Sequence, residues 1–106
     1  MASLSTHVLD TSAGRPAAGV RVTLETVDGT VLASAVTDAD GRVGELASDV
    51  PRGEARIRFA TGAWFAAAGV EAFYPEVAVT FAVGADEHYH VPLLLNPYGY
   101  STYRGS

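Results

Sequence analysis

The sequence contains no cysteine. A disulfide framework, a thiol nucleophile, a zinc finger and an iron–sulfur centre are therefore excluded. Lysine is missing as well, all seven basic residues being arginine, which removes Schiff-base chemistry and a lysine general base. Positive charge is scarce overall, since 12 acidic against 7 basic side chains leave a formal net charge of −5. The scattered arginines offer no clustered patch for phosphate neutralisation, so no nucleic acid is expected as a partner. Long apolar runs are missing too. None approaches the ~20 residues of a membrane helix, and no membrane association is expected. The N-terminal Met-Ala-Ser-Leu-Ser-Thr-His has no basic segment followed by an apolar stretch, and the final Arg-Gly-Ser is not of the Ser-Lys-Leu type. The expectation is a cytoplasmic protein. Three histidines remain for chemistry near neutral pH.

What is present suits one domain spanning 1–106, because 106 residues that are 48% hydrophobic can build one core and no second. A chain this short buries only about 60–65% of its unfolded surface, a marginal state that oligomerisation relieves. Periodicity of two dominates. Val77, Val79, Phe81 and Val83 alternate with Ala78, Thr80 and Ala82; Val20, Val22 and Leu24 alternate with Arg21 and Thr23; Ile57 and Phe59 stand between Arg56, Arg58 and Ala60. Further strands are expected at Leu4–Leu9, Thr30–Thr37, His88–Leu95 and Tyr98–Arg104. Turn residues separate them, and Asp28-Gly29 between two alternating runs is the strongest local hairpin signal. The alanine-rich stretch 63–68, closed by Gly69, predicts a single short helix. About seven regularly spaced strands and one helical turn or two imply an all-β fold, an immunoglobulin-like antiparallel β-sandwich.

The candidate chemical residues are few. His88 and His90, two apart on an expected strand, project from one face with Pro92 and Leu94. That spacing suits a zinc or copper pair, but nothing local supplies the third ligand, and an edge histidine on a polar face fits equally. His7 shares a face with Leu9, where a histidine is more often a hydrogen-bonded structural residue than a catalyst. Arg42 follows Asp40-Gly41 in an expected turn, where a solvated charge is the ordinary role. The terminus, Tyr98 to Ser106, gathers three tyrosines, an arginine and hydroxyls. Termini usually fray, yet this one has the composition of a docked final strand.

Taken together, Thr6-His7-Val8-Leu9-Asp10, Asp40-Gly41-Arg42, Phe73-Tyr74-Pro75-Glu76-Val77, His88-Tyr89-His90-Val91-Pro92-Leu93-Leu94-Leu95 and the terminal Tyr103-Arg104-Gly105-Ser106 resemble the 5-hydroxyisourate hydrolases, the transthyretin-related enzymes of urate breakdown. The resemblance covers essentially the whole chain. Its most specific part is the terminal tetrapeptide, which separates the hydrolases from the hormone-carrying transthyretins. Asn96 departs from the serine expected before the proline, in a turn that touches nothing catalytic.

The resemblance implies a transthyretin-like sandwich of two four-stranded sheets with one short α-helix. It also implies a homotetramer, a dimer of dimers with its sites at the dimer–dimer interface. Such enzymes open the six-membered ring of 5-hydroxyisourate to give 2-oxo-4-hydroxy-4-carboxy-5-ureidoimidazoline; no cofactor and no metal is assigned here. Carried over by position, the catalytic set is His7, His90 and Ser106, and the substrate-binding set is Arg42, Tyr103 and Arg104. The histidine of the pair that matches is His90, not His88.

Lactam hydrolysis needs a water deprotonated as it attacks, a donor for the developing oxyanion and a proton for the leaving nitrogen. Two histidines can divide the acid and base roles, and an arginine fork fits the edge of a planar, urate-like ring better than a lysine. On this reading His7 and His90 hold the water, Arg42 binds substrate, and Ser106 fixes a histidine or the water. Two rivals stand beside it, a non-enzymatic transthyretin-like carrier of small ligands and an immunoglobulin-like interaction module. A polar channel disfavours the carrier of an apolar ligand.

Overall fold

Most of the alternating runs become strands in the computed structural model, which describes residues 2–106. In chain order the elements are β1 (Ala2–Asp10), β2 (Arg15–Pro16), β3 (Arg21–Thr26), β4 (Val31–Val36), β5 (Arg42–Val50), β6 (Gly53–Phe59), α1 (Thr61–Ala67), β7 (Val77–Val83), β8 (His88–His90), β9 (Leu93–Asn96) and β10 (Gly99–Thr102). One sheet has the order β4-β3-β6-β7, antiparallel throughout. Its register sets Val22 opposite Phe59, Leu24 opposite Ile57 and Ile57 opposite Val79, so one face carries the apolar set into the core. Val22, Leu24, Ile57 and Phe59 are completely buried there. The Asp28-Gly29 hairpin forms as its sequence predicts, with Gly29 at φ +93°.

The opposing sheet is built around β1, which pairs with β5 along one edge and with β8 and then β9 along the other. β10 pairs with β9 and closes that edge. The expected run from His88 to Leu95 is cut in two at Val91-Pro92, because proline has no N–H to give the ladder. Counting β8 and β9 as one path leaves four strand positions. The two-residue β2 continues the β5 edge against Leu9 and Asp10. This sheet is mixed and not wholly antiparallel, since β8 and β9 run parallel to β1. Parallel neighbours need a long crossover, and the excursion through the other sheet supplies it.

β2 falls at Arg15-Pro16, where turn residues stand, and β5 carries no strand signal in the sequence. Its buried residues Val43, Leu46 and Val50 fall three and four apart, and the pairing with β1 shifts register twice to accommodate them. Bulges of this kind erase the period-two signature. The helix begins earlier than the alanine run, at Thr61, and buries Thr61 and Phe65 four residues apart on one face. Gly69, at φ +72°, ends it by donating 3.0 Å to the Ala66 carbonyl. No helix among the described residues is long and apolar enough to cross a membrane.

Candidate active site

Strand periodicity builds the site on the outer face of the mixed sheet. In β1, Leu4 and Val8 point into the core while Ser3, Ser5 and His7 alternate with them on the opposite face. In β8, Tyr89 is buried and His88 and His90 face outward. The parallel register sets Ser3 beside His88 and Ser5 beside His90. On the other edge, His7 is the cross-strand partner of Arg42, the first residue of β5. Arg42 therefore opens a strand and does not sit in a free turn. The turn just before it is fixed by the Asp38 carboxylate, which accepts from the N–H groups of Asp40 and Arg42 at 2.9 Å each.

Arg42, His90 and Ser106 share the wall of one open hollow of about 270 Å³, with Ser5, Thr6 and His88 alongside. Ser106 reaches it because the tail doubles back: the Gly105 N–H donates 2.8 Å to the His90 carbonyl in an isolated antiparallel bridge. His90 Nδ1 is hydrogen-bonded to Ser5 Oγ at 2.7 Å. Its Nε2 has no partner among the described residues and is the ring nitrogen left for a bound molecule. Burial holds the His90 imidazole below its ordinary pKa, and the neighbouring Arg42, His7 and His88 push in the same direction. A neutral imidazole able to accept a proton is thus favoured. His7 stands beside the hollow and not on its wall. Its Nε2–H donates 2.9 Å to the Asp40 carbonyl, which orients the ring from the same turn that delivers Arg42.

Tyr103 and Arg104 are not brought to this hollow. They border a separate one of about 310 Å³, alongside Val79, Phe81, Tyr89 and Val91. The Arg104 guanidinium lies 4.6 Å over the Tyr89 ring and 3.1 Å from the Asp86 carboxylate. Within one chain these contacts moor the tail. An exposed ion pair of this type is worth under about 1 kcal/mol, and a cation–π contact at an exposed site about 0.5–1 kcal/mol.

Sequence reasoning passed over Ser3 and Ser5. The signal was present, since both stand at even offsets from His7 in an alternating strand, but a serine on a strand draws no attention until its neighbour across the ladder is known. Among the described residues no three His, Cys, Asp or Glu side chains gather closely enough to hold a metal ion.

Two facing sheets of this connectivity, with a histidine-lined polar hollow on the outer face of one, define a transthyretin-like sandwich. The chain belongs to the HIUase/Transthyretin family, whose model matches residues 4–105. It is 48% identical over 115 residues to the 5-hydroxyisourate hydrolase of Caulobacter vibrioides, covering 100% of both chains. The solved structure of Klebsiella pneumoniae 5-hydroxyisourate hydrolase superposes with a TM-score of 0.94 at 45% identity, again covering 100% of each chain. Sea bream transthyretin in complex with thyroxine superposes with a TM-score of 0.88 at 33% identity, over 96% of this chain and 93% of that one.

Proposed function

We propose that the protein is a 5-hydroxyisourate hydrolase, opening the six-membered ring of its substrate to 2-oxo-4-hydroxy-4-carboxy-5-ureidoimidazoline. The observation that carries this is the end-to-end relation to proteins of that name at 45–48% identity, well above the 33% shared with a transthyretin. The walls of the hollow support it, because an arginine, two histidines and serines suit a polar heterocycle and not an apolar hormone.

In the proposed mechanism His90 Nε2, held neutral by its surroundings, takes a proton from the attacking water. His7, beside it, aligns that water or protonates the leaving nitrogen. Arg42 receives the edge of the planar substrate and stabilises negative charge on the carbonyl oxygen as the tetrahedral intermediate forms. Ser106 closes the site through its hydroxyl or terminal carboxylate. Tyr103 and Arg104 serve substrate binding by holding Ser106 in place. We further propose a homotetramer, a dimer of dimers with the outer faces of the mixed sheets meeting across a channel. An open hollow needs a partner surface to exclude water, and exposed Tyr100 and Tyr103 lie on the edge beyond β9.

The test generates 5-hydroxyisourate in place from urate with a urate oxidase and follows its ultraviolet decay. Acceleration proportional to added protein is expected. Decay at the spontaneous rate sinks the enzymatic reading and leaves the carrier.

A further inference from the structure

His88 has no part in the mechanism above, and neither do Ser3 and Ser5. Yet these side chains are linked without a gap. Ser3 Oγ lies 2.5 Å from His88 Nδ1, His88 Nε2 lies 2.9 Å from Ser5 Oγ, and Ser5 Oγ lies 2.7 Å from His90 Nδ1. His88 is exposed, Ser5 is buried at 8% exposure, and His90 lines the hollow. The row therefore runs from solvent to the one imidazole whose Nε2 has no partner among the described residues. We propose that Ser5 and His88 are positioning residues forming a proton relay between solvent and His90, so that His88, Ser5 and His90 act as one unit during hydrolysis. The proposal rests on the hydrolase reading.

The argument is one of hydrogen counting. A serine hydroxyl owns one proton, so between two imidazole nitrogens it donates to one and accepts from the other. Accepting from both leaves its proton without a partner among the described residues at a position only 8% exposed, which costs the desolvation of that donor. Only two arrangements remain. If Ser5 donates to His90 Nδ1, His90 carries its proton on Nε2 and His88 carries its own on Nε2. If Ser5 accepts from His90 Nδ1–H, its own proton goes to His88 Nε2, and His88 carries its proton on Nδ1. In both arrangements the two neutral rings are protonated on the same-named nitrogen.

The second arrangement is the basic one, with the His90 Nε2 lone pair open to the hollow. When Nε2 takes a proton from water, the Nδ1 proton passes to Ser5 Oγ. The Ser5 proton passes to His88 Nε2, and His88 gives its Nδ1 proton to Ser3 or to solvent. Each hop breaks one N–H or O–H bond and forms another, so one proton enters at His90 and one leaves at His88. Amide opening at neutral pH yields a carboxylic acid that ionises, so each turnover has a proton to discharge. Arg42 disfavours a positive charge on His90, which favours sending that proton outward.

Two measurements test the relay. Imidazole ¹⁵N shifts at about pH 8, where ordinary histidines are neutral, are expected to show His88 and His90 in matching tautomers. In Ser5→Ala the two rings are expected to titrate independently. Opposite tautomers in the unsubstituted protein overturn the relay, and this readout stands even if no hydrolysis is found. In turnover, Ser5→Ala is expected to lose roughly 10²-fold in kcat with little change in KM, the low end of an acid–base contribution. Ser5→Thr, which restores the hydroxyl, is expected to recover most of it, and added imidazole buffer to rescue Ser5→Ala but not the unsubstituted protein. A kcat unchanged in Ser5→Ala, or a loss that neither Ser5→Thr nor imidazole repairs, also overturns it.

Discussion

Gly105 lies close against the His90 side chain: a Cβ at position 105 would stand 2.4 Å from His90 Cδ2, inside any tolerable contact. With the Gly105 N–H donating to the His90 carbonyl, this close approach carries Ser106 to the hollow. Gly105→Ala must therefore turn the ring away from Ser5 or lift the tail. Turnover is expected to fall on the order of 10²-fold, the cost of about 1 Å of misplacement, with the thermal midpoint nearly unchanged. Near-normal kcat in a folded Gly105→Ala protein would show that the contact does not position the site.

Deleting Tyr103 to Ser106 tests the tail as a whole. Its ties are an isolated bridge, an exposed ion pair and a ring contact, and it contributes nothing to the buried core. The truncated protein is expected to keep its far-ultraviolet circular dichroism and lose ring opening. Retained turnover removes Ser106 from the mechanism.

His90→Asn keeps a polar side chain but gives up the titrating ring. A fall in kcat of roughly 10²–10⁴-fold is expected, the usual scale for a general acid–base group. A change of only a few-fold excludes His90 as the base.

The pH profile has a definite sign. Burial, then Arg42, His7 and His88, lower the His90 pKa, so the neutral ring survives below the ordinary value of about 6.5. The acidic limb of kcat/KM is expected to have its midpoint below that value. Replacing Arg42 by glutamine removes a positive neighbour and is expected to raise the His90 midpoint read by NMR. Since the unfolded chain binds a proton at His90 more readily than the folded one, this group's contribution to stability is present above about 6.5 and lost as pH falls.

Gly41 is expected to be intolerant for reasons of fold. It sits at φ +75°, and a Cβ there would meet the Val8 carbonyl oxygen at 2.3 Å. Gly41→Ala is expected to cost more than about 1 kcal/mol, a drop of roughly 4–8 °C in Tm for a domain of this size. Because Gly41 separates Asp40, the acceptor of His7, from Arg42, activity is expected to fall with it. An unshifted Tm counts against the strain.

Much of the architecture was open to reading because period-two burial writes itself into residue order. The runs Arg21–Thr26 and Val77–Val83 show their inner face in the letters, and Asp28-Gly29 announces its hairpin. β5 was hidden, since two bulges place Val43, Leu46 and Val50 off the alternation. The break at Pro92 was legible in principle, because a proline inside an expected strand already argues against continuity.

For the site, His7, Arg42, His90 and Ser106 were named from motifs, and Tyr103 and Arg104 with them. By itself the sequence determined the inventory: no thiol, no lysine, three histidines, and strands whose outward positions carry them. Only the tertiary structure decided which of these meet. The parallel register of β1 on β8 laid Ser5 between two histidines, and the β1–β5 pairing set His7 opposite Arg42. The return of the tail brought Ser106 to His90 while Arg104 turned to Tyr89. Those neighbours are more than 30 residues apart in the chain or meet by a backward turn. Register and crossover bring them together, and no local propensity encodes either.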